Sequence, residues 1–281
     1  MNEKEGYDFI QKLIQTYKDS NYTKPFTVTR YGIIESALVG KVYYNQSLSE
    51  FDRKYTQNNA GIFFKDKYSI DKYCQAYLDS VYRSSLFTYY DAFTNLFTKH
   101  IINETKMPIA QAQCLEPFYF MDQDSYNFDK LIYDMRVLII SSHSDTMKEQ
   151  VKSNNIDNVF NKKIWNKNNL LFMKPPVTLG QNHNNKDWSE HFEEFKTELD
   201  KIKDKYDIAF VSAGGYGILI CDYMLTHHKK SAIYVGGALQ ILFGIKGARW
   251  DSKGYYNTHW VNVLPSDTPK NYKTIEDGCY W

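Results

Sequence analysis

The chain has 281 residues, with 34 Lys plus Arg against 33 Asp plus Glu and a formal net charge of +1. So even a balance gives no global positive field for nucleic acid or an anionic membrane, and any bound anion has to be captured by local geometry. The length allows one large α/β domain with a sizeable core, which argues against disorder as the main state. The sequence is rich in rings, with 24 Tyr, 17 Phe and 5 Trp. Aromatic faces suit sugar stacking, but an aromatic-rich core accounts for them more simply.

At the N-terminus, "MNEKEGYDFIQKLIQTYKDS" has acids near its start and only short apolar stretches, so it does not read as a signal peptide. Tyr7, Ile10, Leu13, Ile14 and Tyr17 fall at helical spacing and predict an amphipathic helix. "FTVTRYG" then predicts a short strand ending at Gly32, with a helix beginning near Ile34 or Glu35. Ile70, Tyr73, Cys74, Tyr77, Leu78, Val81, Tyr82 and Ser85 form a long helical stripe that reads as core packing. Between about Thr88 and Tyr133 the pattern mixes short helices with an apolar run, "PFYFM", readable as strand or loop.

From Arg136 onward the elements alternate. "VLIIS" (137–141), "LLFMK" (170–174), "IAFVSA" and "AIYVGG" are continuous apolar strands. A helix after the first has Thr146 and Glu149 in capping-box spacing. Another opens at Asp187-x-x-Glu190 with a stripe of Trp188, Phe192, Phe195, Leu199 and Ile202. The lysine-rich "NKKIWNKNN" reads as a solvated loop. Apolar strands alternating with helices predict an α/β, Rossmann-like, mostly parallel sheet with helices on both faces and a helical N-terminal elaboration, as one domain over residues 1–281. No apolar run approaches the ~18 residues needed to span a bilayer. Cys74, Cys114, Cys221 and Cys279 form no C-x-x-C pair. Reduced thiols and a cytoplasmic location follow as expectations, with no transmembrane segment and any membrane contact peripheral.

In such a sheet a ligand lies beyond the carboxyl ends of the strands, and two Gly-Gly pairs fall there: Gly214 and Gly215 in "SAGGYG", and Gly236 and Gly237 in "YVGGAL". Glycine permits positive φ and close approach to the backbone, and a following helix turns free N–H groups toward a diphosphate. Neither pair forms G-x-G-x-x-G, and there is no P-loop. "SSHSDT" adds Ser142, His143 and Ser144 at a helix start. "FGIKGARWD" adds Lys246 and Arg249, cations able to neutralise a leaving diphosphate. Tyr216 is placed either to stack on a base or sugar or to pack behind its turn. The histidines show no metal-ligand spacing, and no G-x-S-x-G elbow is present.

Together "TRYGIIES", "NNAGIF", "VLIISSHSDT", "IAFVSAGGYG" and "IYVGGALQILFGIKGARWD" resemble glycosyltransferases of the GT-D type and their relatives in polysaccharide clusters. The last piece, with its glycine turn, Gln240 and the "FGIKG.RWD" tail, is the most specific. The resemblance spans roughly Phe26 to Asp251 and implies a nucleotide-sugar donor, a glycan or polysaccharide acceptor, and donor contacts from Arg30, Gly32 and Gln240. It also implies catalysis or acceptor positioning by Glu35. The family's R-[YF]-G-D-x-E element has Ile33 at its Asp position here, and a lone carboxylate is a poor Mn²⁺ or Mg²⁺ site. Asp122 and Asp124 in "FYFMDQD" are an alternative D-x-D metal pair. A non-catalytic nucleotide- or glycan-binding protein and a phosphate-ester hydrolase are the rival readings. The sugar, the base and the oligomeric state, a homo-oligomer included, stay open.

Overall fold

A computed structural model of the chain describes residues 1–116 and 128–281. Its centre is a seven-stranded sheet built from β1 (Thr27–Arg30), β2 (Leu86–Tyr89), β3 (Ile109–Gln111), β4 (Val137–Ser141), β5 (Leu170–Met173), β6 (Ile208–Ser212) and β7 (Ser231–Tyr234). The order is β3-β2-β1-β7-β6-β4-β5, and every pairing is parallel. The carboxyl ends of all seven strands therefore open onto one edge of the molecule. Between β1 and β7 the chain turns outward in opposite directions, which leaves a crevice at that point.

Side-chain alternation explains why the strands are apolar throughout. Leu138, Ile140, Ala209, Val211, Ala232 and Tyr234 enter one core, while Val137, Ile139, Ile208, Phe210, Ile233 and Val235 enter the other. Helices cover both faces, so neither set meets water. The first core is closed by α2 (Ile33–Tyr43), α4 (Lys67–Tyr82), α5 (Leu96–Glu104), α9 (Trp188–Asp200) and α10 (Gly217–Tyr223). The second is closed by α1 (Glu3–Asp19), α7 (Ser144–Lys152), α8 (Ile156–Val159) and α11 (Ala238–Ile241). The N-terminal helix is thus one of the covering layers, with Tyr7, Ile10, Ile14 and Tyr17 buried as its spacing predicts. Of the remaining helices, α3 (Glu50–Ala60) adds Ala60 to the first core and the short α6 (Phe128–Ile132) adds Ile132 to the second.

Two expectations need correction, one on the helix after β4 and one on the lysine-rich stretch. β2 and β3 lie in stretches without a readable strand pattern, and "PFYFM" falls outside the described residues. The helix after β4 is not capped by Thr146. It starts at Ser144, and the Thr146 N–H and hydroxyl both donate to Asp267 Oδ2, each at 2.7 Å, so a buried carboxylate from far along the chain does the capping. The lysine-rich stretch is no solvated loop throughout: Ile164 and Trp165 are buried, Trp165 stacking on Phe243 at 4.9 Å. The helix at Asp187 has the predicted capping box. The four cysteines are free, and no helix among the described residues is long and apolar enough to cross a membrane.

Candidate active site

The crevice at the strand ends encloses about 220 Å³. The turn after β1 supplies Arg30, Gly32 and Glu35, the turn after β4 supplies Ser142 and His143, and the Gly-Gly turns after β6 and β7 supply Gly214, Gly236 and Gly237. Gln240 and Arg249 complete the residues anticipated from sequence that line it. Ser144, Gly215, Tyr216 and Lys246 are not among the lining residues. Tyr216 is wholly buried, with Phe192 at 6.3 Å, so of its two possible roles packing is the one realised. Ser144 and Gly215 are buried beneath the wall. Lys246 lines a separate, shallower groove with Asp251 and Tyr256. Asp122 and Asp124 lie outside the described residues.

The glycines seat protein groups as much as they open space. A Cβ on Gly32 would stand 2.3 Å from Glu35 Oε2, so the carboxyl folds back over its own turn only because this position is bare. Gly236 has φ +66°, and a Cβ there would meet Arg30 Nη1 at 2.5 Å. Only glycine combines that backbone with that neighbour. The runs after the two Gly-Gly pairs are short: a 3-10 turn (Gly214–Tyr216) leading into α10, and the four-residue α11. The longer helices that begin at the crevice are α2 and α7 instead.

Glu35 is 7 % exposed and forms no ion pair with any described residue. Burial pushes its carboxyl up to about 7; its own backbone N–H pulls the other way, Glu276 adds to the rise, and Arg30 opposes it. A carboxyl balanced there can hold or release a proton near neutrality. Arg30 donates to the Tyr90 hydroxyl at 2.9 Å, and its Nε is buried without a partner. His143 is buried, which takes its imidazole down to about 4; nearby Asp267 counters this and Lys174 reinforces it. The ring is neutral at physiological pH, and its Nε2 has no partner. Gln240 is fixed by its amide nitrogen, which donates to the Lys246 and Tyr280 carbonyls at 3.0 and 3.1 Å, and its Oε1 is left unsatisfied. Orphaned buried polar atoms are costly and rare. Three such atoms, Arg30 Nε, His143 Nε2 and Gln240 Oε1, belong to residues that line the crevice, and seven others lie elsewhere among the described residues.

The C-terminal segment supplies residues the sequence reading missed. Ile275, Glu276, Tyr280 and Trp281 close one side of the crevice, and Tyr90 and Asn59 close others. Glu276 accepts from Arg249 Nη2 at 2.6 Å, and its N–H donates to Asn59 Oδ1. Glu276 and Asp277 both have positive φ, at 45° and 55°. Two such residues in succession are a strained connection, held here by the Arg249 and Asn59 contacts. Among the described residues no group of three or more His, Cys, Asp or Glu is placed to hold a metal ion.

The fold is all-parallel α/β and Rossmann-like, with a crevice at the strand ends. Compared with protein-family models, with curated proteins and with solved structures, the chain matches none of them.

Proposed function

We propose that the protein is a glycosyltransferase of GT-D-like type that moves a sugar from a nucleotide-sugar donor to a glycan or polysaccharide acceptor. The observation that carries the reading is that Glu35 and Arg30 line the same crevice. A proton-exchanging carboxyl stands there beside a guanidinium with unspent donors, among the unsatisfied His143 and Gln240. Resemblance in "TRYGIIES" and in the "VGGALQ" to "RWD" stretch supplies the reaction class.

In this reading the donor's diphosphate lies against Arg30 and the turns at Gly214 and Gly236, with Arg249 at its far side. Arg30 offers charge-assisted hydrogen bonds that strengthen as negative charge builds on the leaving diphosphate. The neutral His143 and the Gln240 oxygen orient sugar or ribose hydroxyls. Glu35 takes the proton of the attacking acceptor hydroxyl as its oxygen bonds to the anomeric carbon. The bond from that carbon to the diphosphate breaks, and the nucleotide diphosphate leaves with the bonding electron pair. Because the base must be ionised, the rate rises with pH to a plateau above about 7.

Ile33 at the family's Asp position, exposed at the rim, favours a second reading in which the crevice binds a nucleotide or glycan without turnover. The test follows nucleotide diphosphate release from UDP-, GDP- and dTDP-sugars, and CMP release from CMP-sugars, with and without saccharides, in Mn²⁺ or EDTA. Saccharide-dependent release that Glu35→Gln abolishes supports the transferase. Loss in EDTA brings Asp122 and Asp124 into the mechanism. Binding without release supports the second reading, and release indifferent to saccharide points to a hydrolase.

A further inference from the structure

Of the residues that line the crevice, Ile33, Tyr55, Val177 and Arg249 are the most exposed, and three of the four are apolar or aromatic. Ile33 (45 % exposed), Tyr55 (44 %) and the partly exposed Val177 all line it. Phe51, one helical turn before Tyr55 on α3, is 70 % exposed and carries the surface outward. The Phe51 and Tyr55 rings stack, their centroids 5.3 Å apart and their planes within 14° of parallel, so each covers part of one face of the other and turns its opposite aromatic face outward. Three other exposed tyrosines are differently employed: Tyr43, Tyr44 and Tyr82 gather around His100, and Tyr82 hydrogen-bonds its Nε2. Phe51 and Tyr55 stack only on each other among the described rings.

α3 is anchored at the floor and runs outward. Its last residue, Ala60, sets its carbonyl against the Gly214 and Gly215 turn. Asn59 lines the crevice, Tyr55 lies one turn farther out, and Phe51 one turn beyond that, at about 6 Å per four residues. Asn59 Oδ1 accepts from Asn58 and from the Glu276 N–H, while its amide nitrogen donates to no described residue. On α3 Glu50 and Asp52 balance Arg53 and Lys54, and Asp52 also pairs with Lys41, so the helix carries little of the cationic field that a diphosphate or an anionic lipid surface requires.

We propose that Phe51 and Tyr55, with Ile33 beside them and Asn59 at their inner end, form a saccharide subsite in which a pyranose ring lies on the aromatic face. One face of a pyranose is a sheet of polarised C–H bonds that suits the negative face of an aromatic ring, while its edge hydroxyls seek amide partners. That the saccharide is the acceptor rests on the transferase reading, because it would hand a hydroxyl inward to Glu35. Saccharide binding itself does not depend on that reading.

The test is saturation-transfer NMR on the full chain with a panel of methyl glycosides and disaccharides of glucose, galactose, mannose and N-acetylglucosamine. The variants are Phe51→Ala, Tyr55→Ala and the ring-conserving Phe51→Tyr, with thermal shifts on UDP, GDP and CDP run in parallel. Both aromatic positions are exposed enough for truncation to leave the core intact. The expected result is transfer to the C–H protons of one sugar face, about tenfold weaker binding in each alanine variant, and retention in Phe51→Tyr. Nucleotide shifts should not change. Absence of transfer to every saccharide, or transfer that survives both alanine changes, overturns the proposal. A nucleotide shift lost with the rings would make the face a base-stacking site, and vesicle co-sedimentation lost with them would make it a lipid contact; either result also overturns it. Ring-dependent saccharide binding without any nucleotide binding would leave the subsite standing and remove the transferase reading; nucleotide binding without saccharide binding would do the reverse.

Discussion

Two arginines face the same crevice in opposite conditions. Arg249, partly exposed, is already neutralised by Glu276 at 2.6 Å and stacks over Tyr280 at 4.5 Å. Arg30 has no ion pair with any described residue, it donates to the Tyr90 hydroxyl, and its neighbouring carboxyl, Glu35, is held toward the protonated state by burial. The first pair behaves as a clamp that holds the C-terminal segment against the wall. Arg30 and Glu35 have no such ion pair with any described residue. Electrostatic sites are worth most where donors are fixed and unspent before the ligand arrives, so function should concentrate at Arg30 and Glu35.

Exchanging the carboxyl for an amide sharpens that contrast most. Glu35→Gln should lower the transfer rate by roughly 10²- to 10⁴-fold, the span of general-base contributions, while leaving nucleotide-induced stabilisation intact. The same variant has a stability signature with a definite sign. Because the folded-state pKa lies above the unfolded one, the folded protein holds the Glu35 proton longer, and stability falls as pH rises from about 4.5 to about 7. Glu35→Gln should therefore match the wild type near pH 4 and exceed it at pH 8 by up to roughly 3 kcal/mol in denaturant melts. Equal stability at both pH values would mean that the carboxyl is ionised at little cost.

Next in size is Arg30→Met. Loss of charge-assisted hydrogen bonds should weaken nucleotide diphosphate binding by about 10- to 100-fold in titration calorimetry. Arg249→Met should cost less, because Glu276 already takes up its charge. The smallest effect is expected for Glu276→Gln. Releasing Arg249 from a partly exposed ion pair should tighten diphosphate binding by no more than about fivefold. A large loss of binding there would instead make Glu276 a ligand contact and erase the distinction between the two arginines.

Legibility followed the same divide. β4, β6 and β7 are buried on both faces, so they appear as unbroken apolar runs, and the glycine turns after β6 and β7 mark the crevice in the sequence itself. β2 follows α4 after only Arg83–Ser85, and its four residues merge into the helical stripe; β3 has three residues and too short a run to show a period. The Glu35 turn was visible as a motif, but its pKa depends on what Gly32, Glu276 and Arg30 do in space. Glu276, Tyr280 and Trp281 were hidden because their segment is a series of 3-10 turns with no periodicity, positioned by Asn59, Gln240 and Asp267 from distant parts of the chain. Density of rings near the chain's last residues was the one available signal, and an aromatic-rich composition masked it.

The most direct test is thermal denaturation of the wild type and Arg30→Met with UDP, GDP, CDP, dTDP and their sugar conjugates. A ligand at about 100 times its Kd stabilises the folded state by ~2.7 kcal/mol, enough to read as a rise in Tm. The account predicts a rise selective for one nucleotide in the wild type and a much smaller one in Arg30→Met. No rise with any of them, or a rise indifferent to Arg30, would contradict the assignment of the crevice to a nucleotide-sugar donor.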